Sequence, residues 1–221
     1  MKKIFSISFV VLISYFFIGC DKDDNDDPNT LGGDTKTEIS NVGDEFGLGV
    51  KIGDSYVNIN ESIKVTSNNN GLVTLKVKAN VSQVPKLKSL VDRIPIDIYD
   101  PQGNIDVDVQ LKVTTEGVQD FFNKDGKPHT MIKYSAKPGD KYELKKSDGK
   151  TITRTVTAKS DVDDFPYGFF DIKTTTIEQD SRIPGINKFV YRANHKFGIV
   201  YVEAYLEDGS KISSYVYSPA Y

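Results

Sequence analysis

The sequence predicts an all-β chain, in which an antiparallel sheet of sequential hairpins forms a β-sandwich or an open half-barrel. Two observations predict this class. Apolar and polar residues alternate along many short segments, whereas long stretches of helical periodicity are nearly absent. Turns that end in glycine separate these segments at residues 69–71, 124–126, 147–149 and 207–209.

The first hairpin, around residues 69–71, takes its register from side-chain character, because a slip of one residue reverses the buried face. A three-residue loop pairs Val65 with Leu75, whereas a two-residue loop pairs Val65 with Lys76. We therefore predict the three-residue loop, which leaves Lys76 on the solvent side.

The hairpin with the turn Pro-Gln-Gly brings like charges together. A four-residue turn pairs Ile98 with Ile105, and it places Asp97 opposite Asp106, with Asp108 two residues along. Like charges directly opposite each other destabilise a sheet. These carboxylates predict either a calcium site, since Ca²⁺ prefers oxygen ligands, or an ordinary strand pair screened by solvent and nearby lysines.

The hairpin around residues 147–149 pairs Leu144 with Ile152 and Tyr142 with Arg154. This register places Arg154 on a mostly apolar face. Burial of a guanidinium group is unfavourable unless the group is paired. Arg154 is therefore expected either to hold an anionic ligand or to stack on Tyr142 and pair with a carboxylate at the rim of the sheet.

The last hairpin, around residues 207–209, gathers tyrosines on one face. The apolar face carries Val200, Val202, Ala204 and Leu206 with Ile212, Ser214 and Val216, and the other face carries Tyr201, Tyr205, Tyr215 and Tyr217. Aromatic rings stack on sugars and anchor protein interfaces, so these tyrosines are candidate ligand-binding residues. The alternative is that they pack against a second layer of the protein.

The remaining elements complete the predicted domain. A short helix is expected over residues 85–92, with Pro85 at its start. Further strands are predicted over the segments 46–52, 56–59, 168–178 and 187–193. We expect residues 41–221 to form one continuous unit, and the alternative is a subdivision near residue 115.

The N-terminus has the pattern of an export signal. Lys2 and Lys3 precede an uncharged segment, residues 4–18, whose helical length of about 22 Å is too short for a hydrocarbon core of about 30 Å. The sequence Phe-Ile-Gly-Cys that ends at Cys20 resembles a bacterial lipobox, with phenylalanine where that motif most often has leucine. The resemblance implies that signal peptide 1–19 is removed and that Cys20 is acylated. The alternative is an ordinary secretory signal with a free terminal cysteine.

An acidic segment follows the cysteine directly. Its five aspartates within seven residues are Asp21, Asp23, Asp24, Asp26 and Asp27. Such a segment has nothing apolar to bury, so residues 20–40 are predicted to be a disordered tether. In position and composition the segment resembles the acidic export signal of Bacteroidota-type surface lipoproteins, which implies the outer face of the outer membrane. The alternative is a solvated spacer.

Charge and motif content exclude several classes of function. The chain without residues 1–19 has a formal charge of 26 − 31 = −5 and no basic patch, so no nucleic-acid partner is predicted. His129 and His195 lie far apart and no cysteine beyond Cys20 is present, so no histidine or thiolate metal site is predicted. The chain has no Gly-x-Ser-x-Gly elbow and no phosphate loop. No catalytic residue or cofactor is assigned.

The segments MIKYSAKPGDKYELKKSDGKTITRTVTAKS, DDFPYGFFDIKTTTIE and NHKFGIVYVEAYLEDGS, within residues 130–210, resemble an uncharacterised lipoprotein family of Bacteroidota-type bacteria. The resemblance implies an envelope location and carries over no site residue. The sequence thus predicts a non-enzymatic surface lipoprotein, held in the outer membrane by its lipid, that binds a glycan or an envelope protein. The alternatives are a periplasmic carrier or chaperone for an apolar or lipid ligand and, third, a hydrolase.

Overall fold

The computed structural model describes residues 29–93 and 99–219. The predicted all-β class is confirmed, because antiparallel strands account for nearly all of the regular structure. The strands are β1 (Glu45–Ile52), β2 (Ser55–Tyr56), β3 (Ser62–Asn69), β4 (Leu72–Asn80), β5 (Asn104–Thr114), β6 (Gly117–Asp120), β7 (His129–Lys133), β8 (Lys141–Lys145), β9 (Thr151–Lys159), β10 (Phe165–Tyr167), β11 (Phe170–Ile172), β12 (Thr175–Asp180), β13 (Ile186–Asn194), β14 (Gly198–Leu206) and β15 (Lys211–Tyr217).

One 13-stranded antiparallel sheet contains every strand except β10 and β11, which form a separate hairpin. Its order is β7-β6-β5-β4-β3-β1-β15-β14-β13-β12-β9-β8, with β2 paired to β1. The sheet curls into a nearly closed barrel. Of the two predicted architectures, this resembles the open half-barrel and not the β-sandwich. At residue 115 the chain turns tightly between the paired strands β5 and β6, so a single sheet continues through this point.

The seam between the end strands β7 and β8 is bridged by side chains. The Asn29 amide accepts a hydrogen bond from the Thr130 backbone N–H (3.0 Å) and donates one to the Glu143 carbonyl (2.7 Å). The Lys133 backbone N–H donates to the Tyr142 hydroxyl (3.2 Å). These bonds satisfy backbone groups that a closed ladder would otherwise pair.

The N-terminal segment differs from the expected tether. Ile39 is 7% exposed and belongs to the main core, and Asn68 Nδ2 donates to the Ser40 carbonyl (2.8 Å). Residues from Asn29 onward therefore already contact the barrel, within the segment 20–40 that was predicted to be a tether. The physical reason is that the acidic run ends at Asp27, after which apolar and hydrogen-bonding side chains can pack. We call residues 34–40 the strap. The signal peptide, Cys20 and the five aspartates lie outside the described residues.

The hairpin of β3 and β4 has the predicted pairing but reaches it differently. Val65 does lie opposite Leu75. The loop, however, has two residues, Asn70 and Gly71, both with positive φ (49° and 80°), as a type I′ turn requires. A β-bulge at Thr66 then shifts the register by one residue. The three-residue loop was therefore wrong, because the bulge corrects the buried face instead.

One other hairpin register and the facing of one valine also differ from the predictions. The Pro-Gln-Gly turn is a three-residue loop with Gly103 at φ 80°, so Tyr99 and not Ile98 lies opposite Ile105. In β14, an irregularity of the pairing with β13 turns Val200 away from the face of Val202 and into a separate cluster around Tyr167. Both differences have a local cause. A glycine with positive φ closes the shorter loop, and a bulge inserts one residue that interrupts the alternation of buried and exposed faces.

The remaining predicted elements are present with changed bounds. Helix α1 (Pro85–Val91) begins at Pro85 as expected, and its Leu87 and Leu90 pack on the apolar clusters beside β1 and β15. The segment predicted as one strand at 168–178 is divided into β11 and β12. No helix within the described ranges is long and apolar enough to cross a membrane.

The interior of the barrel is filled by side chains. The main core consists of Ile39, Val65, Val73, Val113, Val118, Met131, Ile132, Ala136, Tyr142, Val156, Ile177 and Ala193. Large rings such as Tyr134 and Tyr191 pack against this core. A packed interior leaves the outer surface and the loops as the places where ligands can bind.

Candidate functional site

The hairpin of β10 and β11, which we call the aromatic hairpin, packs over the outward-facing tyrosines of β14 and β15. The Phe165 ring lies 5.6 Å from the Tyr201 ring and 5.9 Å from the Tyr215 ring. The Tyr167 ring lies 5.5 Å from the Tyr217 ring. Three of the four predicted tyrosines therefore pack against the protein's own second layer, which is the alternative that the sequence left open.

Tyr167 fixes the base of this hairpin. It is fully buried, and its hydroxyl donates to the Val216 carbonyl (2.9 Å) and accepts from the Ser218 N–H (2.8 Å). Gly49 lies beneath the neighbouring tyrosines, where a Cβ would meet the Tyr217 ring at an ordinary contact distance of 3.4 Å. The hairpin is thus held to the sheet by both rings and hydrogen bonds.

Tyr205 lies apart from the aromatic hairpin, in a polar cluster around Glu203. Glu203 is 6% exposed and pairs with Lys211 (Oε1–Nζ 2.8 Å), and it accepts a hydrogen bond from the Tyr201 hydroxyl (3.2 Å). Burial alone raises the pKa of the Glu203 carboxyl, but hydrogen bonds from Lys211 and Tyr205 outweigh burial and leave that pKa below its ordinary value. The carboxylate stays charged at neutral pH, as an ion-pair partner requires.

The tip of the aromatic hairpin is the most exposed apolar feature of the described surface. Phe169 is 98% exposed and Phe170 is 45% exposed, next to Gly168 with φ 64°. The Phe170 ring lies 6.0 Å from the Tyr167 ring, so the tip continues from the buried aromatic layer. Sequence reasoning missed both phenylalanines, although two adjacent rings directly after a glycine turn were the available signal.

Arg154 faces the interior, as predicted, and is 3% exposed. Its Nη2 pairs with Asp120 Oδ2 (2.5 Å), its Nε donates to Gln179 (2.7 Å), and its Nη1 donates to the carbonyls of His129 (3.0 Å) and Thr130 (3.1 Å). The carboxylate lies in the core and not at the rim. These contacts join β9 to β6 and β7 across the seam, which is a structural role for the guanidinium group.

His129, beside this ion pair, is 1% exposed, and its Nε2 lies 3.0 Å from the Tyr142 carbonyl oxygen. Burial, together with the Arg154 charge, lowers the pKa of His129 from its ordinary value of 6.5. The unfolded chain therefore takes up a proton before the folded chain does. As the pH falls below about 6.5, stability is expected to decrease.

Urea unfolding at about pH 7.5 and about pH 5.5 tests this expectation. The wild type is expected to lose stability at the lower pH, and His129→Gln is expected to lose less. His195→Gln, at an exposed position, serves as the control and keeps the wild-type difference. An equal pH difference in His129→Gln and in the wild type contradicts the assignment.

The predicted calcium residues are only partly described, since Asp97 lies outside the described residues. Asp106 pairs with Lys76 (2.5 Å) and Lys78 (3.7 Å), and Lys76 also approaches Asp108 (3.5 Å). Lysines of β4 thus balance the negative charge of Asp106 and Asp108. The alternative to a calcium site expected such nearby lysines. Within residues 29–93 and 99–219, no group of three or more His, Cys, Asp or Glu residues is placed to hold a metal ion.

Comparison with known proteins finds a weak structural similarity. A solved structure that resembles this chain is that of a Bacteroides fragilis protein proposed to be exported and described with a YmcC-like fold. The two chains share 9% identity with a TM-score of 0.45, over 80% of this chain and 95% of that one. No family model and no curated protein matches the chain. A similarity at this level does not transfer a function.

Proposed function

We propose that this protein is a non-enzymatic lipoprotein on the outer face of the outer membrane, and that its aromatic hairpin binds an envelope protein. Support for the location comes from the lipobox-like sequence at Cys20 and from the acidic segment after it. Two or more acyl chains hold a protein stably at a membrane, since each buried methylene contributes about 0.8 kcal/mol.

The single observation that supports the binding role is the exposure of Phe169, at 98%, on an otherwise well-anchored hairpin. An exposed aromatic ring on a rigid support is typical of interface anchors, which fill an apolar socket in the partner. Three aspartates and one lysine are exposed close to it in the chain, namely Asp163, Asp164, Asp171 and Lys173. The complementary partner surface is an apolar socket with a basic rim.

A protein partner fits the exposed rings better than a glycan does. Sugar sites combine aromatic stacking with hydrogen-bonding groups, and tyrosine offers both. Here Tyr201, Tyr215 and Tyr217 pack beneath the hairpin, whereas the exposed rings at its tip belong to phenylalanines. The filled interior likewise supports surface binding over a carrier of apolar ligands.

Photo-cross-linking on intact cells tests the binding role. A photoreactive phenylalanine analogue in place of Phe169 is expected to give one discrete adduct with a second envelope protein, identified by mass spectrometry. The matched control places the same analogue at Val42, a 64% exposed apolar position outside the hairpin. Phe170→Ser is expected to weaken the adduct at position 169. Adducts no stronger than those at Val42, or adducts with lipid alone, contradict a protein partner.

A further inference from the structure

We propose that a surface pocket beneath the strap binds a small organic anion, independently of the aromatic hairpin. The pocket has a volume of about 360 Å³, within the range of small-molecule sites. Its lining includes Lys36 and Ile39 of the strap, Tyr134 after β7, and His195 and Lys196 of the turn between β13 and β14. Neither the sequence motifs nor the comparisons point to this site.

The cations of the pocket have no carboxylate partner. In the part of the chain that the structure describes, neither Lys36 Nζ nor Lys196 Nζ lies within 4.0 Å of a carboxylate oxygen, although the Lys36 backbone N–H donates to Asp34 Oδ1 (2.9 Å). Glu38 is the one acidic residue of the lining, which therefore contains two lysines and one glutamate. The whole chain has a net charge of −3, and a local excess of positive charge on an acidic protein favours an anionic ligand.

Tyr134 adds an apolar surface and a hydrogen-bond donor. Its ring packs against the main core together with Ile39. Burial alone raises the pKa of the Tyr134 hydroxyl to about 12, and this hydroxyl makes no hydrogen bond to another described residue. A partly desolvated hydroxyl that lines a pocket gains most from an acceptor oxygen of a ligand.

The wall formed by the strap is held in place before any ligand arrives. The Asp34 N–H donates to Thr115 Oγ1 (2.9 Å), and the Thr115 N–H donates to the Asp34 carbonyl (2.8 Å). At the other end, Ile39 packs so closely on Gly198 that a Cβ on that glycine would lie 2.7 Å from Ile39 Cδ1. A preformed wall lowers the entropic cost of binding.

These features together define the ligand. The proposed ligand carries a carboxylate or phosphate group, which the flexible side chains of Lys36 and Lys196 reach, Lys196 from its position over the Phe197 ring (5.2 Å from Nζ to the ring centroid). A ring-sized remainder fits against Tyr134 and Ile39. An acidic sugar has this chemistry, and glucuronate is a suitable probe, with inorganic phosphate as the anion without a ring and glucose as the ring without a charge.

Calorimetric titration of the detergent-solubilised full-length protein tests the site. Glucuronate is expected to bind saturably, phosphate more weakly and glucose not at all, and added salt is expected to weaken glucuronate binding. Lys36→Ala/Lys196→Ala is expected to lower the affinity for glucuronate by about tenfold or more. Tyr134→Phe is also expected to weaken glucuronate binding, because this variant keeps the ring and loses the hydroxyl that donates a hydrogen bond.

The control is Lys137→Ala/Lys150→Ala, which removes two exposed lysines outside the pocket and is expected to bind as the wild type does. Thermal unfolding of each variant checks that it is folded. The proposal is overturned if glucuronate gives no saturable heat, or if the two double variants bind it equally. Phosphate binding as tight as glucuronate binding overturns the assignment of an organic ligand. None of these outcomes measures the partner of the aromatic hairpin, so the two proposals fail or stand separately.

Discussion

Arg154→Met is expected to lower the free energy of unfolding by about 3–5 kcal/mol, because removal of one partner leaves a buried charge unpaired. Asp120, the remaining partner, has a side chain that is only 4% exposed. The carbonyls of His129 and Thr130 also lose their guanidinium donor. Methionine retains much of the volume, so the change tests the charge and the hydrogen bonds. Urea unfolding followed by circular dichroism measures the difference.

The control for this variant is Lys188→Met, which breaks the pair between Lys188 and Glu178 (2.7 Å). Both of those side chains are 36% exposed, so the loss is expected to be about 1 kcal/mol or less. Equal stabilities of the two variants contradict a structural role for Arg154. That result returns the arginine to the anionic-ligand interpretation that the sequence also allowed.

Gly117→Ala is expected to have the second largest effect, a loss of about 3 kcal/mol or more. A Cβ at this position overlaps the backbone carbonyl oxygen of Ile132, which belongs to the paired strand β7. Backbone cannot move aside as a flexible side chain can, so β6 and β7 must separate locally. Because β7 is one side of the seam, the damage is expected to extend to the contacts of Asn29.

Gly47→Ala is the matched control, since Gly47 is also a strand glycine. There a Cβ meets only Tyr217 atoms at 3.7 Å, which is an ordinary contact. We expect a change within about 1 kcal/mol, and the alanine removes the entropic disadvantage of glycine in a strand. Thermal and urea unfolding of both variants measure these two changes in stability. A stable Gly117→Ala protein contradicts the close approach of β6 and β7.

Hairpin registers were largely predictable because local alternation determines which face is buried. The pairs of Tyr142 with Arg154 and of Tyr201 with Tyr215 are as the sequence indicates. The bulge at Thr66 was not predictable from the same pattern, since a bulge and a longer loop bury the same side chains. Alternation specifies the faces but not the place where the extra residue lies.

Long-range contacts account for the rest of what the sequence did not indicate. The aromatic hairpin covers strands that follow it only after β12 and β13, and nothing local to Phe165 or Tyr201 signals that contact. The strap lies over the β13–β14 turn in the same way, through Ile39 and Gly198. Both candidate sites depend on these contacts, so sequence reasoning named the tyrosines but neither the phenylalanine tip nor the strap pocket.

The proposed function rests on attachment of the protein to the membrane through Cys20. Because Asn29 already contacts the barrel, the segment between the lipid and the barrel would be short. Intact mass spectrometry of the protein extracted from membranes tests this attachment most directly. We expect a mature chain that starts at Cys20 and is heavier than its peptide mass by the acyl groups. An unmodified thiol, or a chain that retains residues 1–19, contradicts the proposal.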